Sequence, residues 1–200
     1  MVMEFRRVLF RSNVTKQRLN AFSRRELIMN EVMKNILTRR SVRKFSKQPV
    51  EREIIEDIVK AGLYAPSAMN RQTWKFTVVT NQEKIKKLCE AIGNELGRGG
   101  YDMYQPTLLI IPSNHRDTVW GREDNACALE NMFLAAHSYG VGSVWINQLQ
   151  GISDKPEIRA VLDAFGIPAE HVVYGVASMG YPAETVTDEK ARIGAVAYIE

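Results

Sequence analysis

The stretch "ILTRRSVRKF", residues 36–45, places four cationic side chains, Arg39, Arg40, Arg43 and Lys44, within six residues, directly after an apolar stripe. Two readings fit. Arginines that follow a helix complement its macrodipole and then sit in a solvated loop. Alternatively they form an anion site, because guanidinium forks match phosphate oxygens bidentately and the Ser41 hydroxyl adds a donor. A second basic pair, Lys190 and Arg192, lies two residues apart, so an extended chain turns both to one side. Other chemistries have weaker support. His115, His137 and His171 are scattered without ligand spacing and have no Ser, Cys or carboxylate partner in a recognisable motif, which disfavours a metal site and a hydrolase triad. Cys89 and Cys127 are too few for a disulfide framework.

The elements that must position these residues can be read from periodicity. Val32, Met33, Ile36 and Leu37 share one helical face, and the cationic turn follows them. Ile54, Ile55, Ile58, Val59 and Leu63 give a second helix with acidic residues toward its start, ending near Tyr64 because Pro66 disfavours helical geometry before it. "APSAMNRQTWKFTVVTN" begins as loop chemistry and becomes a strand over 75–80. A third helix covers "QEKIKKLCEAIG"; the glycine-rich "NELGRGGYDMYQ" is a flexible stretch; "TLLIIP" is a short buried strand. "REDNACALENMFLAAHSYG" is apolar on nearly every side between Ala126 and Ala136, which predicts a buried helix ended by Gly140, with Cys127 inert upon it. "VGSVWINQ" reads as a strand, "KPEIRAVLDAFG" as a helix and "HVVYGVASMGYP" as one further strand. Helices and strands do not alternate in strict βαβ order, so the fold class expected is α+β. Tyr101, Tyr104 and Trp120 border the flexible stretch, either as a substrate lid or as local core.

Composition limits the partners. Two hundred residues, 45% apolar and 25% charged, suit one globular domain with or without an appendage. No apolar run reaches the length of a membrane span, so a soluble, cytoplasmic protein without membrane contact is expected. The net charge of +4 is carried by residues 1–28, which hold seven basic and two acidic residues and leave −1 for the remainder. Nucleic acid is therefore not an expected partner of the body, although a non-catalytic protein binding nucleic acid or an acidic surface through its basic leader remains an alternative. Met29 opens "MNEVMKNILTRR" as a natural start would. Residues 1–28 are thus expected to be a basic extension, non-native, disordered or dispensable, and residues 29–200 the folded domain.

Four stretches in order, "RRSVRKF", "APSAMNRQTWKF", "GVGSVWI" and "GYP…EKAR", resemble the nitroreductase family of flavoproteins across essentially all of residues 30–193. The resemblance implies a central, mainly antiparallel sheet flanked by helices, in an intertwined homodimer with flavin sites at its interface. It implies FMN as cofactor, with NAD(P)H as co-substrate. Arg39, Arg40, Ser41 and Arg43 match positions that hold the phosphate and ribityl chain, and Lys190 with Arg192 matches a pair closing over the same phosphate. Pro66, Ser67 and Asn70 match a segment reaching the flavin from the second subunit. Trp145, Ile146, Asn147 and Gln148 match the strand end beside its redox edge, where backbone groups surround N5 and O4; Trp145 and Ile146 equally suit the core of a central strand. Ala68 stands where a second Ser is frequent, Thr73 where Pro is common, and Asn147 and Gln148 where Gly or an acid often lies. The reaction implied is ping-pong reduction of a small-molecule acceptor, nitroaromatic, quinone or a related electrophile, in which the flavin carries the chemistry and no protein acid or base is obligatory. A same-fold enzyme of reductive dehalogenation or flavin breakdown is the alternative within the resemblance.

Overall fold

The computed structural model describes residues 30–186 and 191–200. The chain divides into two units, residues 1–39 and 40–200. In the first, helix α1 (Glu31–Thr38) is capped by Asn30, whose side chain accepts the Met33 N–H at 2.8 Å. Its stripe of Val32, Met33, Ile36 and Leu37 is exposed.

The second unit is built on five strands: β1 (Trp74–Val79), β2 (Leu108–His115), β3 (Gly142–Ile146), β4 (His171–Val173) and β5 (Val176–Gly180). They run in the order β1-β2-β5-β3, with β4 also paired to β2, and every pairing between them is antiparallel. Side chains alternate across the sheet, as the strand period of two requires. Leu109 and Ile111 join Val144 and Ile146 in a core beneath α3 (Gln82–Glu95) and α5 (Pro156–Ala164). Leu108 and Ile110 join Ala177 and Met179 in another beneath α2 (Arg52–Leu63) and α4 (Gly121–Ser138). This is the antiparallel sheet flanked by helices that the sequence led us to expect.

Three local differences have physical causes. β2 runs past Pro112 to His115, because its neighbour on one side changes there: β5 pairs residues 108–110 and β4 pairs 113–115. Pro112 falls in the gap, a place where a missing N–H is tolerated. For the same reason "HVVYGVASMGYP" is two strands, broken at Tyr174 and Gly175. Gly175 lies under the Trp145 indole, so a Cβ there would come within 2.5 Å of Nε1. Finally, Cys127 is exposed on α4 and is not shielded within it; the buried residues of that helix include Ala128, Leu129, Met132, Phe133 and Ala136. Among the described residues no helix is long and apolar enough to cross a membrane.

Candidate functional site

The first motif is positioned by backbone pairing. Ser41 bridges Ser143 in parallel, and the Val42 N–H donates to the Ser143 carbonyl at 3.0 Å, so residues 41–43 run beside the start of β3. Buried Val42 packs on Gly142, where any Cβ would stand only 2.8 Å from the Val42 Cβ; the close approach requires glycine. Further on, Phe45 bridges Pro182, Ser46 N–H donates to the Tyr181 carbonyl at 2.8 Å, and Ala183 N–H to that of Lys44 at 3.0 Å. The chain from Arg40 to Ser46 is thereby tied to the "GYP" segment that follows β5.

This course brings Arg43 to a cavity of about 370 Å³ that is also lined by Trp145, Ile146, Asn147 and Gln148. Two of the four sequence motifs thus meet in one place. A larger cavity, about 830 Å³ between α2 and β1, is lined by none of the candidate site residues. Ile146 is buried in the core, whereas Trp145, 39% exposed, faces the other way and tilts against Phe133 at 6.2 Å. The Asn147 N–H is engaged by the side chain of its neighbour, donating to Gln148 Oε1 at 3.1 Å.

Residues 98–104 form the opposite wall, and there the sequence reading was least informative. Met103, Tyr104 and Gln105 take consecutive left-handed conformations, φ 48°, 69° and 51°. Asp102 holds the turn: Tyr104 N–H donates to its Oδ1 and Gln105 Nε2 to its Oδ2, each at 2.9 Å. Met103 anchors it from within, its side chain in the core and its carbonyl accepting from Ser178 Oγ at 2.8 Å. Tyr104 is presented outward, with the Arg43 guanidinium 5.9 Å over its ring. Arg98 adds a second cation to the lining. Tyr101 packs on the core, with its hydroxyl buried and without a partner among the described residues, and burial raises its pKa far above the ordinary range. Cys89 beneath it is pushed up to about 12, again chiefly by burial. Both stay protonated at neutral pH, so neither serves as a base there, and the wall supplies cations, the Asp102 carboxyl, an aromatic face and backbone dipoles. Trp120 does not line the cavity and stands exposed before α4.

The remaining site candidates lie elsewhere. Pro66, Ser67 and Asn70 belong to the loop between α2 and β1, around a short 3₁₀ turn (Ala68–Asn70), and do not line this cavity. The loop is held by Asp124 in the first turn of α4, which accepts the Ala68 N–H at 2.9 Å, and by Asn114, which accepts from Thr73 Oγ1 at 2.7 Å. Arg39 closes α1 in the first unit, its N–H donating to the Asn35 carbonyl at 3.1 Å. Arg192 is exposed. Lys190, and the extension 1–28, lie outside the described residues. Arg98, Asp102 and Asp124 were not anticipated.

The Nitroreductase family profile matches residues 36–106 and 97–181. A protein of Archaeoglobus fulgidus, provisionally named NADH dehydrogenase/NAD(P)H nitroreductase, is 38% identical over 78% of this chain and 88% of its own length. The NADPH-flavin oxidoreductase of Vibrio harveyi is 29% identical over 77% of this chain and 67% of its own. Among solved structures, a Bacteroides fragilis nitroreductase with bound FMN superposes with a TM-score of 0.79 at 36% identity, covering 86% of this chain and all of that one. The chain belongs to the nitroreductase family.

Proposed function

We propose that this protein is an FMN-dependent NAD(P)H oxidoreductase that reduces nitroaromatic, quinone or related electrophilic acceptors by a ping-pong mechanism. One observation carries the reading: Arg43 of the first motif and residues 145–148 of the third line a single cavity. The donor set fits the group. Near-neutral phosphate monoesters carry close to two negative charges, and Arg39, Arg40, Ser41, Lys190 and Arg192 would hold that end. Arg43 and the backbone of residues 145–148 would face the ring system, with Tyr104 as an aromatic wall. Gln148 must release the Asn147 N–H before that donor can serve a ligand. When bound, FMN would supply two-electron redox chemistry between NAD(P)H and the acceptor. The chain's own part is to bind, orient and exclude water.

The working unit proposed is a homodimer in the cytoplasm with two flavin sites at its interface. Support comes from the loop carrying Pro66, Ser67 and Asn70, which leaves the cavity lined without it, and from exposed Ile193, Val196, Tyr198 and Ile199, apolar surface of a kind that partners cover. The test is spectral. Purified protein should show oxidised flavin in the visible, bleach anaerobically with NAD(P)H alone, and regain colour when a nitroaromatic or quinone follows. Dilution to monomer should release FMN, and excess FMN should restore dimer. A colourless protein that takes up no FMN would overturn the reading; a monomer holding flavin with undiminished affinity would overturn the shared site.

A further inference from the structure

The loop of residues 66–73 has a backbone that its own sequence disfavours. Met69, Asn70 and Gln72 all lie in the left-handed region, at φ 52°, 53° and 49°, a region that Asn tolerates and that is costly to Met and Gln. Internal bonds tie the turn to itself: Asn70 N–H to the Ser67 carbonyl at 2.9 Å, Gln72 N–H to Ser67 Oγ at 3.2 Å, and Gln72 Nε2 to Asn70 Oδ1 at 2.8 Å. None of these fixes where the turn points. At its start that is done by the Ala68 N–H on Asp124 Oδ1, a charge-assisted bond spanning 56 residues of sequence.

Asp124 is unusual for a carboxylate. It is 5% exposed, and its Oδ2 is buried without a hydrogen-bond partner among the described residues. The adjacent Asn125 amide is 1% exposed and equally unpartnered at both atoms. Retaining a buried, half-satisfied carboxylate is costly.

We propose that Asp124 is a positioning residue for the cofactor loop: its buried carboxylate holds the Ala68 N–H and so fixes the turn that carries extended Ser67 and left-handed Asn70. This rests on the reading above that Ser67 and Asn70 face FMN. Asp124 acts through the backbone of Ala68 and touches no reacting atom.

The bond can be cut from either end in the full-length holoprotein. Asp124→Ala removes the acceptor. Ala68→Pro removes the donor and leaves the carboxylate; Ser67, at φ −131° and ψ 151°, already has the extended backbone of a residue before proline. Each variant should weaken FMN binding about tenfold, the double variant no further than either alone, and Asp124→Asn, which keeps an acceptor oxygen, should stay within about threefold of wild type. The visible circular dichroism of bound flavin should change alike in Asp124→Ala and Ala68→Pro. A merely structural Asp124 would lower the melting temperature of the apoprotein and leave FMN affinity and flavin dichroism unchanged; that result, or additive losses in the double variant, overturns the proposal. If Asp124→Ala does not fold, wild-type FMN affinity in Ala68→Pro overturns it. Wild-type protein that binds no FMN removes the flavin reading itself, a failure distinct from normal binding in the variants.

Discussion

The cavity wall and the loop of residues 66–73 are assigned by resemblance to the same flavin, yet they are positioned by different means. Residues 41–46 are laid along β3 and the segment after β5 by backbone hydrogen bonds, and residues 145–148 close β3, the last strand in the sheet order, and continue just past it. The loop hangs on side chains: Asp124 at its start, and Asn114 with Thr118 at Thr73. Backbone pairing is shared among many bonds and survives most substitutions, whereas a side-chain clamp depends on one residue. The two halves should therefore fail differently: the wall through backbone displacement or lost charge, the loop through a single carboxylate.

The largest effect expected is on the cations proposed to hold the cofactor phosphate. Loss of a charge-assisted bond costs roughly 1.5 to 3 kcal/mol, so Arg39→Ala should weaken FMN binding by about ten- to a hundredfold in a flavin titration, more than any change in the loop. Unchanged affinity would take Arg39 out of the proposed site and leave Arg43 and Arg98, the cations that line the cavity. Next, Gly142→Ala would press on Val42, with three Val42 atoms inside 3.0 Å of the new Cβ. Overpacking of this kind costs about 1 to 3 kcal/mol, to be read from urea unfolding, with FMN affinity falling in parallel and Val42→Ala restoring both in part. A neutral Gly142→Ala would mean that the motif is not held by its seat on β3.

A smaller effect should appear with pH, on the loop side. His171 is buried, its Nδ1 3.0 Å from Ser113 Oγ, and burial above all holds its pKa below the ordinary value despite Glu170 nearby. Below about pH 6.5 the unfolded chain takes up a proton there that the folded chain refuses. His171 thus leaves stability intact above that pH and erodes it as pH falls through the window beneath. Ser113 adjoins Asn114, which anchors Thr73, so melting curves at pH 7.5 and 5.5 should diverge, and His171→Gln should reduce the difference. The least effect is expected from the extension: protein starting at Met29 should fold, dimerise and keep its flavin by size exclusion and absorbance. Insolubility or loss of FMN would make residues 1–28 part of the domain.

What the sequence disclosed follows the range of the interactions involved. Helices α2, α3 and α5 were legible because apolar spacing, acidic first turns and a proline three residues beyond the end of α2 act locally. The wall residues Arg43 and 145–148 were legible through motifs. The break between β4 and β5 was not, since it is set by β2 changing partners and by an indole from another strand. The 98–104 wall was read as flexible because its glycines are visible in sequence while the Asp102 bonds and the Met103 anchor are not. Asp124 was missed because an acid in a first turn looks like an ordinary dipole partner, and its real partner lies 56 residues away.

The left-handed run at Met103, Tyr104 and Gln105 has a consequence for how such a sequence evolves. Each non-glycine residue held there costs about 1 to 2 kcal/mol, against a total stability on the order of 5 to 15 kcal/mol for a folded domain. Selection for thermal endurance alone would therefore replace Gln105 with glycine and discard the Asp102 contact. Selection for turnover would retain it, because the same turn sets the Tyr104 ring against Arg43. Passaged libraries screened under the two regimes should part at this position first, and the residue each regime keeps at 105 would record which pressure shaped the chain.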